Sequence, residues 1–284
     1  MKLIGLMLVR NEDWVIGASL DAALRWCDGV AMYLDRCEDR TFDIVQTHMH
    51  ASAKPITLRG EAKRAHWDEM DMRQRNLEDG RLMGGTHFAI IDADEILTAN
   101  CLGVVRPWFE ALDYGQVLDV PMIPVWRSID VYRDDDSVWS KARLTLGFRD
   151  VGGLTWRPRE DGYQHHHRAP WGVHETVEPI KRGEGGVMHL QFMNRRRLVA
   201  KHVLYRMVDH LRWPGRRTIE QLNRIYDEAL STPQKLSAVD WRWWSGYLKS
   251  EISAGGAPWQ EEEVRRLLIE HGRERFSGLD LKGF

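Results

Sequence analysis

The strongest constraint on this chain is a rhythm in its first hundred residues. Uninterrupted apolar runs of strand length at 3–9, 30–34, 56–58 and 87–91 alternate with stretches of helical spacing at 15–26, 40–49 and 67–83. A strand that is apolar at every position buries both faces, which is what a parallel sheet between helical layers requires. The alternation therefore predicts a βαβ sheet, with Gly84-Gly85 ending the third helix. The chain has 284 residues, 43% hydrophobic and 29% charged, so a sizeable core can be buried and a disordered or low-complexity chain is excluded.

Beyond residue 100 the pattern changes. Strands are expected at 117–125, 144–148 and 187–192, separated by Gly, Pro and charged stretches. These include 157–168 and Asp134-Asp135-Asp136, the latter read as a solvated loop. From Arg195 the spacing is helical at 198–211, 218–230, 239–252 and 261–271, punctuated by Pro214, Pro233 and Pro258. Residues 195–217 hold eight Lys or Arg and one acid, Asp209, which reads as a solvated helix face or a local anion-binding patch.

Charge and cysteine usage narrow the partners. Forty Lys and Arg against 42 Asp and Glu leave a formal net charge of -2, which argues against gripping nucleic acid by charge alone. Cys27, Cys37 and Cys101 form neither a disulfide framework nor a CxxC zinc pattern and fit a reducing compartment. The first apolar run lacks a signal-peptide cleavage site and no run reaches transmembrane length. The expectation is a cytoplasmic protein without a transmembrane segment.

The chemistry gathers at strand ends. The fourth apolar run leads directly into Asp92-Ala93-Asp94-Glu95. Ligands of open α/β sheets bind outside the carboxyl ends of the strands. Two close carboxylates there repel unless a cation compensates, and Mg²⁺ or Mn²⁺ bridges carboxylates to phosphates. The first run ends in Arg10-Asn11-Glu12 and the second in Asp35. Each has a structural reading as well, since Asn11 or Asp13 is suited to capping the next helix. The repetition at three strand ends favours a crevice.

Leu-Val-Arg10-Asn11-Glu12 after the first strand, an Asp closing the second, Arg75-Asn76 in a polar helix and a strand running into Asp-Ala-Asp-Glu resemble a family-two glycosyltransferase over about residues 1–100. The resemblance implies an α/β fold of the GT-A type, in which a nucleotide-binding sheet is flanked by helices. The glycosyltransferase domain would cover 1–194, with 1–100 as the nucleotide-sugar half and 101–194 as the acceptor half. A helical C-terminal region would follow over 195–284. It also implies an enzyme that moves a hexosyl or related sugar, with inversion, from a nucleotide-sugar donor to a hydroxyl of a glycan, lipid-linked or protein acceptor. Mn²⁺ or Mg²⁺ would be its cofactor.

Carried over by position, Arg10, Asn11 and Glu12 would lie beside the nucleotide base and Asp35 would contact it. Arg75 would sit near the diphosphate, Asp92 near ribose and metal, and Asp94 on the metal. Trp171-Gly-Val-His174-Glu175 resembles the family's His-Glu segment, which makes Glu175 the candidate base and His174 its partner. His189 is the candidate that completes the metal shell. Lys201 and Tyr205, four apart on a helix, share a face that would reach the diphosphate.

Two other readings stay open. The 13 Trp and the basic stretch at 195–217 also suit a non-enzymatic carbohydrate- or polyanion-binding protein on a degenerate form of the fold. A metal-dependent nucleotidyltransferase would use similar carboxylate chemistry. His165-His166-His167 invites a zinc site, but the absence of nearby Cys partners favours a loop near the acceptor. Of the Trp, those at 14, 26 and 67 are assigned to helix packing. Those at 108, 126, 139, 156 and 171 are placed on the acceptor side, with Trp171 the candidate for stacking on a sugar. Trp241 and Trp244 are expected to share a packing face.

Overall fold

The computed structural model describes residues 1–61, 68–156, 168–253 and 255–284. The early rhythm becomes β1 (Leu3–Val9), α1 (Ile16–Trp26), β2 (Gly29–Asp35), α2 (Thr41–Ala51), β3 (Ile56–Glu61), α3 (Glu69–Leu82) and β4 (His87–Asp92). Strands β3, β2, β1 and β4 lie side by side, all parallel. Leu3, Met7 and Val9 pack with Ile16 and Leu20 of α1, while Ile4 and Leu6 pack with Met70 and Leu77 of α3. Successive side chains of a strand face opposite ways, so a helix on each face demands an apolar residue at every position. The Asp68 side chain caps α3 by accepting the Asp71 N–H at 3.3 Å.

After β4 the sheet changes direction. The chain continues as β5 (Glu95–Leu97), α4 (Val105–Glu110), β6 (Gln116–Pro124), β7 (Val131–Arg133), α5 (Val138–Lys141), β8 (Arg143–Arg149), β9 (Glu175–Val177) and β10 (Val187–His189). Strand β8 is antiparallel to β4 and β6, and β10 is parallel to β6 and antiparallel to β5. The order is β3-β2-β1-β4-β8-β6-β10-β5, with β9 beside the start of β6. The fold is therefore α/β, a mixed central sheet flanked by helices. The C-terminal region holds α6 (Arg195–Arg212), α7 (Ile219–Glu228), β11 (Leu236–Ala238) paired with β7, and α8 (Trp259–His271). Val203, Leu204 and Met207 of α6 meet Leu222 and Tyr226 of α7 and Val264 and Leu267 of α8 in a core of their own.

Several expectations fail. The strand at 187–192 stops at His189, because the Leu190 N–H turns to the Asp94 carbonyl at 2.8 Å and Leu190–Phe192 form a 3-10 turn. No helix spans 239–252. Trp241–Trp244 and Lys249–Glu251 are short 3-10 turns, with Gly246 at φ 77° between them. Trp243 and Trp244 are buried while Trp241 is 77% exposed, so Trp241 and Trp244 share no face. Asp134–136 is not a solvated loop. Asp135 is buried on Arg133 at 3.0 Å and Asp134 takes Arg182 and Lys235; Asp136 alone of the three is exposed.

The basic stretch at 195–217 is only in part a solvated face: Arg195, Arg196, Arg212 and Arg216 are exposed, whereas Arg197 and Arg206 are buried. Arg206 is fully buried on Asp227, Arg217 pairs with Asp209, and Arg196 pairs with Glu261. Trp126 and Trp156, placed on the acceptor side by sequence, are core residues against Phe192 and Phe148. Trp67 and His165-His166-His167 lie outside the described residues. No helix among the described residues is long and apolar enough to cross a membrane.

Candidate functional site

Strands β1, β2 and β4 end at one edge of the sheet, and their ends carry Arg10 and Glu12, Asp35 and Arg36, and Asp92 and Asp94. A cleft of about 440 Å³ opens there, roofed by α6 and α8. Arg10, Glu12, Asp92 and Asp94 line it from the sheet, Arg73 from α3, Lys201 and Tyr205 from α6, and Trp259 and Glu263 from α8.

Arginines brace the acidic turn. Asp92 is bound by Arg73 at 3.2 Å and by Arg168 at 2.9 Å, one guanidinium on each oxygen. Arg168 also grips buried Glu95 with two bonds of 2.7 Å, and a Glu95 oxygen accepts the Asp92 N–H at 3.0 Å. Bidentate pairs of this kind fix geometry as well as charge. Burial works to raise the Asp92 pKa, but Arg168 and Arg73 outweigh it and hold the carboxyl below its ordinary range.

Asp94 is left facing the cleft. Its Oδ1 lies 3.5 Å from His189 Nε2. The pairing of β10 with β5 sets His189 opposite Glu95 and so delivers the imidazole to the turn. Burial again opposes the charge of Asp94, and His189 and Lys201 outweigh it, so this carboxyl too stays below its ordinary range. Lys201 donates to Gln191 Oε1 at 2.9 Å. Burial works against its charge, but Tyr205, Asp94 and Glu12 together push its pKa up. Glu12 accepts from Trp14 Nε1 and faces Arg197 at 3.7 Å. Burial and the nearby Asp94 push its carboxyl up to about 8.

Among the described residues no group of three metal-ligating side chains lies close enough to form a closed cage. Asp94 and His189 offer two donors, with Lys201 nearby. A two-donor set fits Mg²⁺ or Mn²⁺, which keep waters and take phosphate oxygens as their remaining ligands. Asp92 fits less well as a direct ligand, because both of its oxygens are already held by guanidinium groups.

On the far side of the cleft, Arg10 Nη2 bonds Glu263 Oε1 at 2.9 Å and its guanidinium carbon stands 3.9 Å over the Trp259 ring. Asp35 is fully buried, paired with Arg36 at 2.7 Å and with Arg10 at 3.9 Å. Asn11 sits at φ 52° and its side chain accepts the N–H groups of Glu38 and Asp39. It ties the loop after β1 to the loop after β2 and does not line the cleft.

Besides Asn11 and the fully buried Asp35, which also does not line the cleft, four residues nominated from sequence lie elsewhere. Glu175 opens β9 opposite Gln116, whose amide donates to it at 2.9 Å. That register places it level with the start of β4, whereas Asp92 ends the strand; five residues of strand span roughly 16 Å. His174 precedes it, exposed, with its N–H on the Gly115 carbonyl at 3.0 Å. Neither is placed to serve the acidic turn. Arg75 points away from the cleft and pairs with Asp71, because two residues on a helix turn it by about 200°, just past a half-turn, from the Arg73 face. Trp171 is 51% exposed, bridged to Thr155, and does not line the cleft.

Sequence reasoning missed Arg73, Arg168, Trp259 and Glu263. Arg73 was findable: Glu69, Arg73, Asn76 and Gly80 follow helical spacing on the face of α3 turned to the sheet. Arg168 and the α8 residues are far from the turn in sequence and carry no local signal.

No protein-family model and no curated protein sequence matches the chain. Among solved structures it is similar to residues 1–349 of S. aureus TarS, with a TM-score of 0.49 and 13% identity over 81% of this chain and 71% of that one. The same fragment in complex with UDP gives 0.47 at 13% identity over the same shares. A 4-diphosphocytidyl-2C-methyl-D-erythritol synthase gives 0.34 at 16% identity, over 52% of this chain and 74% of that one.

Proposed function

We propose that this chain is a glycosyltransferase that uses Mn²⁺ or Mg²⁺ to move a sugar from a nucleoside-diphosphate donor to an acceptor hydroxyl, with inversion at the sugar carbon. The observation that carries the reading is the convergence of Asp94, Lys201, Arg10 and Glu12 on one cleft at the carboxyl ends of parallel strands. The acceptor oxygen attacks the anomeric carbon as the bond from that carbon to the diphosphate oxygen breaks. The electron pair of that bond leaves with the nucleoside diphosphate, and the hydroxyl proton passes to a carboxylate. Lys201, kept charged by its acidic neighbours, stabilises the charge that grows on the leaving group. Asp94 and His189 would hold the divalent ion, which supplies further positive charge at the diphosphate. Asp92, clasped by Arg73 and Arg168, holds the turn so that Asp94 faces the cleft. The polyanion-binding reading has less support, since Arg196, Arg206 and Arg217 of the basic stretch are spent in ion pairs.

The test is a thermal-shift panel of nucleotide sugars with and without Mn²⁺. A ligand present at a hundred times its Kd stabilises the native state by about 2.7 kcal/mol, enough to raise Tm measurably. At least one nucleotide sugar should raise it, and more so with Mn²⁺. A panel with no shift under either condition would contradict the proposal.

A further inference from the structure

Arg10 is held in the cleft largely by residues of the C-terminal region. Trp259 lies under its guanidinium at 3.9 Å, Glu263 bonds one terminal nitrogen at 2.9 Å, and Asp35 stands 3.9 Å from the other. Glu263 is itself held from behind by Arg266 at 2.9 Å. Helix α8 is seated on α6 by Val264 and Leu267 in the shared core and by Glu261, which takes Arg196. The clamp is thus carried on a packed helix and not on a loose tail.

Resting on the glycosyltransferase reading, we infer that α8 builds the nucleobase side of the donor cleft. Trp259 and Glu263 are positioning residues that hold Arg10 as a flat platform for the base of a nucleoside diphosphate. A guanidinium plane stacks on the π-face of a base, and it does so best when its own plane is already fixed. Arg10 leans toward Asp35 at the end of β2, while Asp94 follows β4 on the other side of β1 and faces His189, which leaves the diphosphate to the acidic turn and the base to α8.

A second observation points the same way. Arg10 Nε, Trp259 Nε1 and Gln260 Oε1 are buried and have no hydrogen-bond partner among the described residues. Unpaired buried polar atoms cost stability, and folds keep them few. Such atoms also occur elsewhere in the fold, as at Asn76 and Asp119, but here three fall together on residues that all line one cleft. Local departures from optimal pairing concentrate at functional sites.

The experiment is calorimetric titration of UDP, GDP and inorganic pyrophosphate, each with Mn²⁺, into wild type, Trp259→Ala, Trp259→Phe and Glu263→Gln. The aromatic conservative variant should retain nucleoside diphosphate affinity. Trp259→Ala and Glu263→Gln should weaken whichever nucleoside diphosphate binds by about 10-fold, the scale of one lost stacking contact, while pyrophosphate affinity stays the same. Equal weakening of pyrophosphate would show a general collapse of the cleft and overturn the base-side assignment. Unchanged nucleoside diphosphate affinity in both variants would overturn it too, while leaving the glycosyltransferase reading intact. A wild type that binds neither UDP nor GDP would remove both. Glu263→Gln changes no side-chain volume, so the test stands even if Trp259→Ala does not fold.

Discussion

The carboxyl edge and the amino edge of the sheet carry the same residue types and put them to different uses. At the carboxyl edge, Glu12, Asp92 and Asp94 are drawn under a helical roof and each meets a cation: Arg197, Arg73 and Arg168, or Lys201. At the amino edge, Glu175 stands in solvent on a Gln116 amide and Arg149 lies over the Tyr114 ring at 4.0 Å. A His-Glu pair and an Asp-Ala-Asp-Glu turn look equally chemical in sequence. Convergence on a desolvated cleft separates them, because charges act strongly only where water is excluded and partners are fixed.

The largest expected difference between the edges is in turnover. Asp94→Ala should lower nucleotide-sugar turnover by about 100-fold or more, the range seen when one preorganised electrostatic group is removed. Glu175→Gln should leave it unchanged. Loss of turnover in Glu175→Gln alone would invert the comparison. Next comes the brace of the acidic turn. Removing one partner of a buried ion pair strands the other, so Arg168→Ala should destabilise the fold by about 3 kcal/mol in urea unfolding. A change below about 0.5 kcal/mol, the level of an ordinary surface substitution, would show that the clasp on Asp92 and Glu95 does not hold the turn.

The smallest effect is a pair of opposite pH slopes, measured with a chelator present. Glu12 titrates at about 8 in the fold against an ordinary 4.5. Between those values the native state keeps a proton that the unfolded chain has lost, so its contribution to stability falls as pH rises. Glu12→Gln should flatten that slope. At the amino edge, burial and then Arg149 press His87 down to about 4 from 6.5. Between 6.5 and 4 the unfolded chain takes up a proton that the native state refuses, so this contribution is lost as pH falls. His87→Gln should remove it. Slopes of the same sign at the two edges would contradict the burial assigned to one of them.

How much was legible from sequence follows the range of the forces involved. The parallel half was readable because each strand's burial on two faces is written locally as an apolar run. The acidic turn was readable because it directly follows such a run. Residues 239–252 misled because Val239, Trp243 and Tyr247 recur at helical spacing, while Gly246 and the demand to bury both Trp243 and Trp244 favour tight turns. Arg75 was chosen over Arg73 by resemblance, although the 3.6-residue period of α3 selects Arg73. The α8 clamp on Arg10 spans 253 residues of sequence, and such a contact leaves no trace in local pattern. The same holds for Arg168, which reaches Asp92 across 76 residues.

Amide hydrogen exchange tests most directly whether the carboxyl edge is the donor site. A nucleoside diphosphate added with Mn²⁺ should slow exchange at residues 10–13, 93–95 and 259–263, and leave 171–177 unchanged. Protection confined to 171–177, with none at the acidic turn or at the start of α8, would contradict the account.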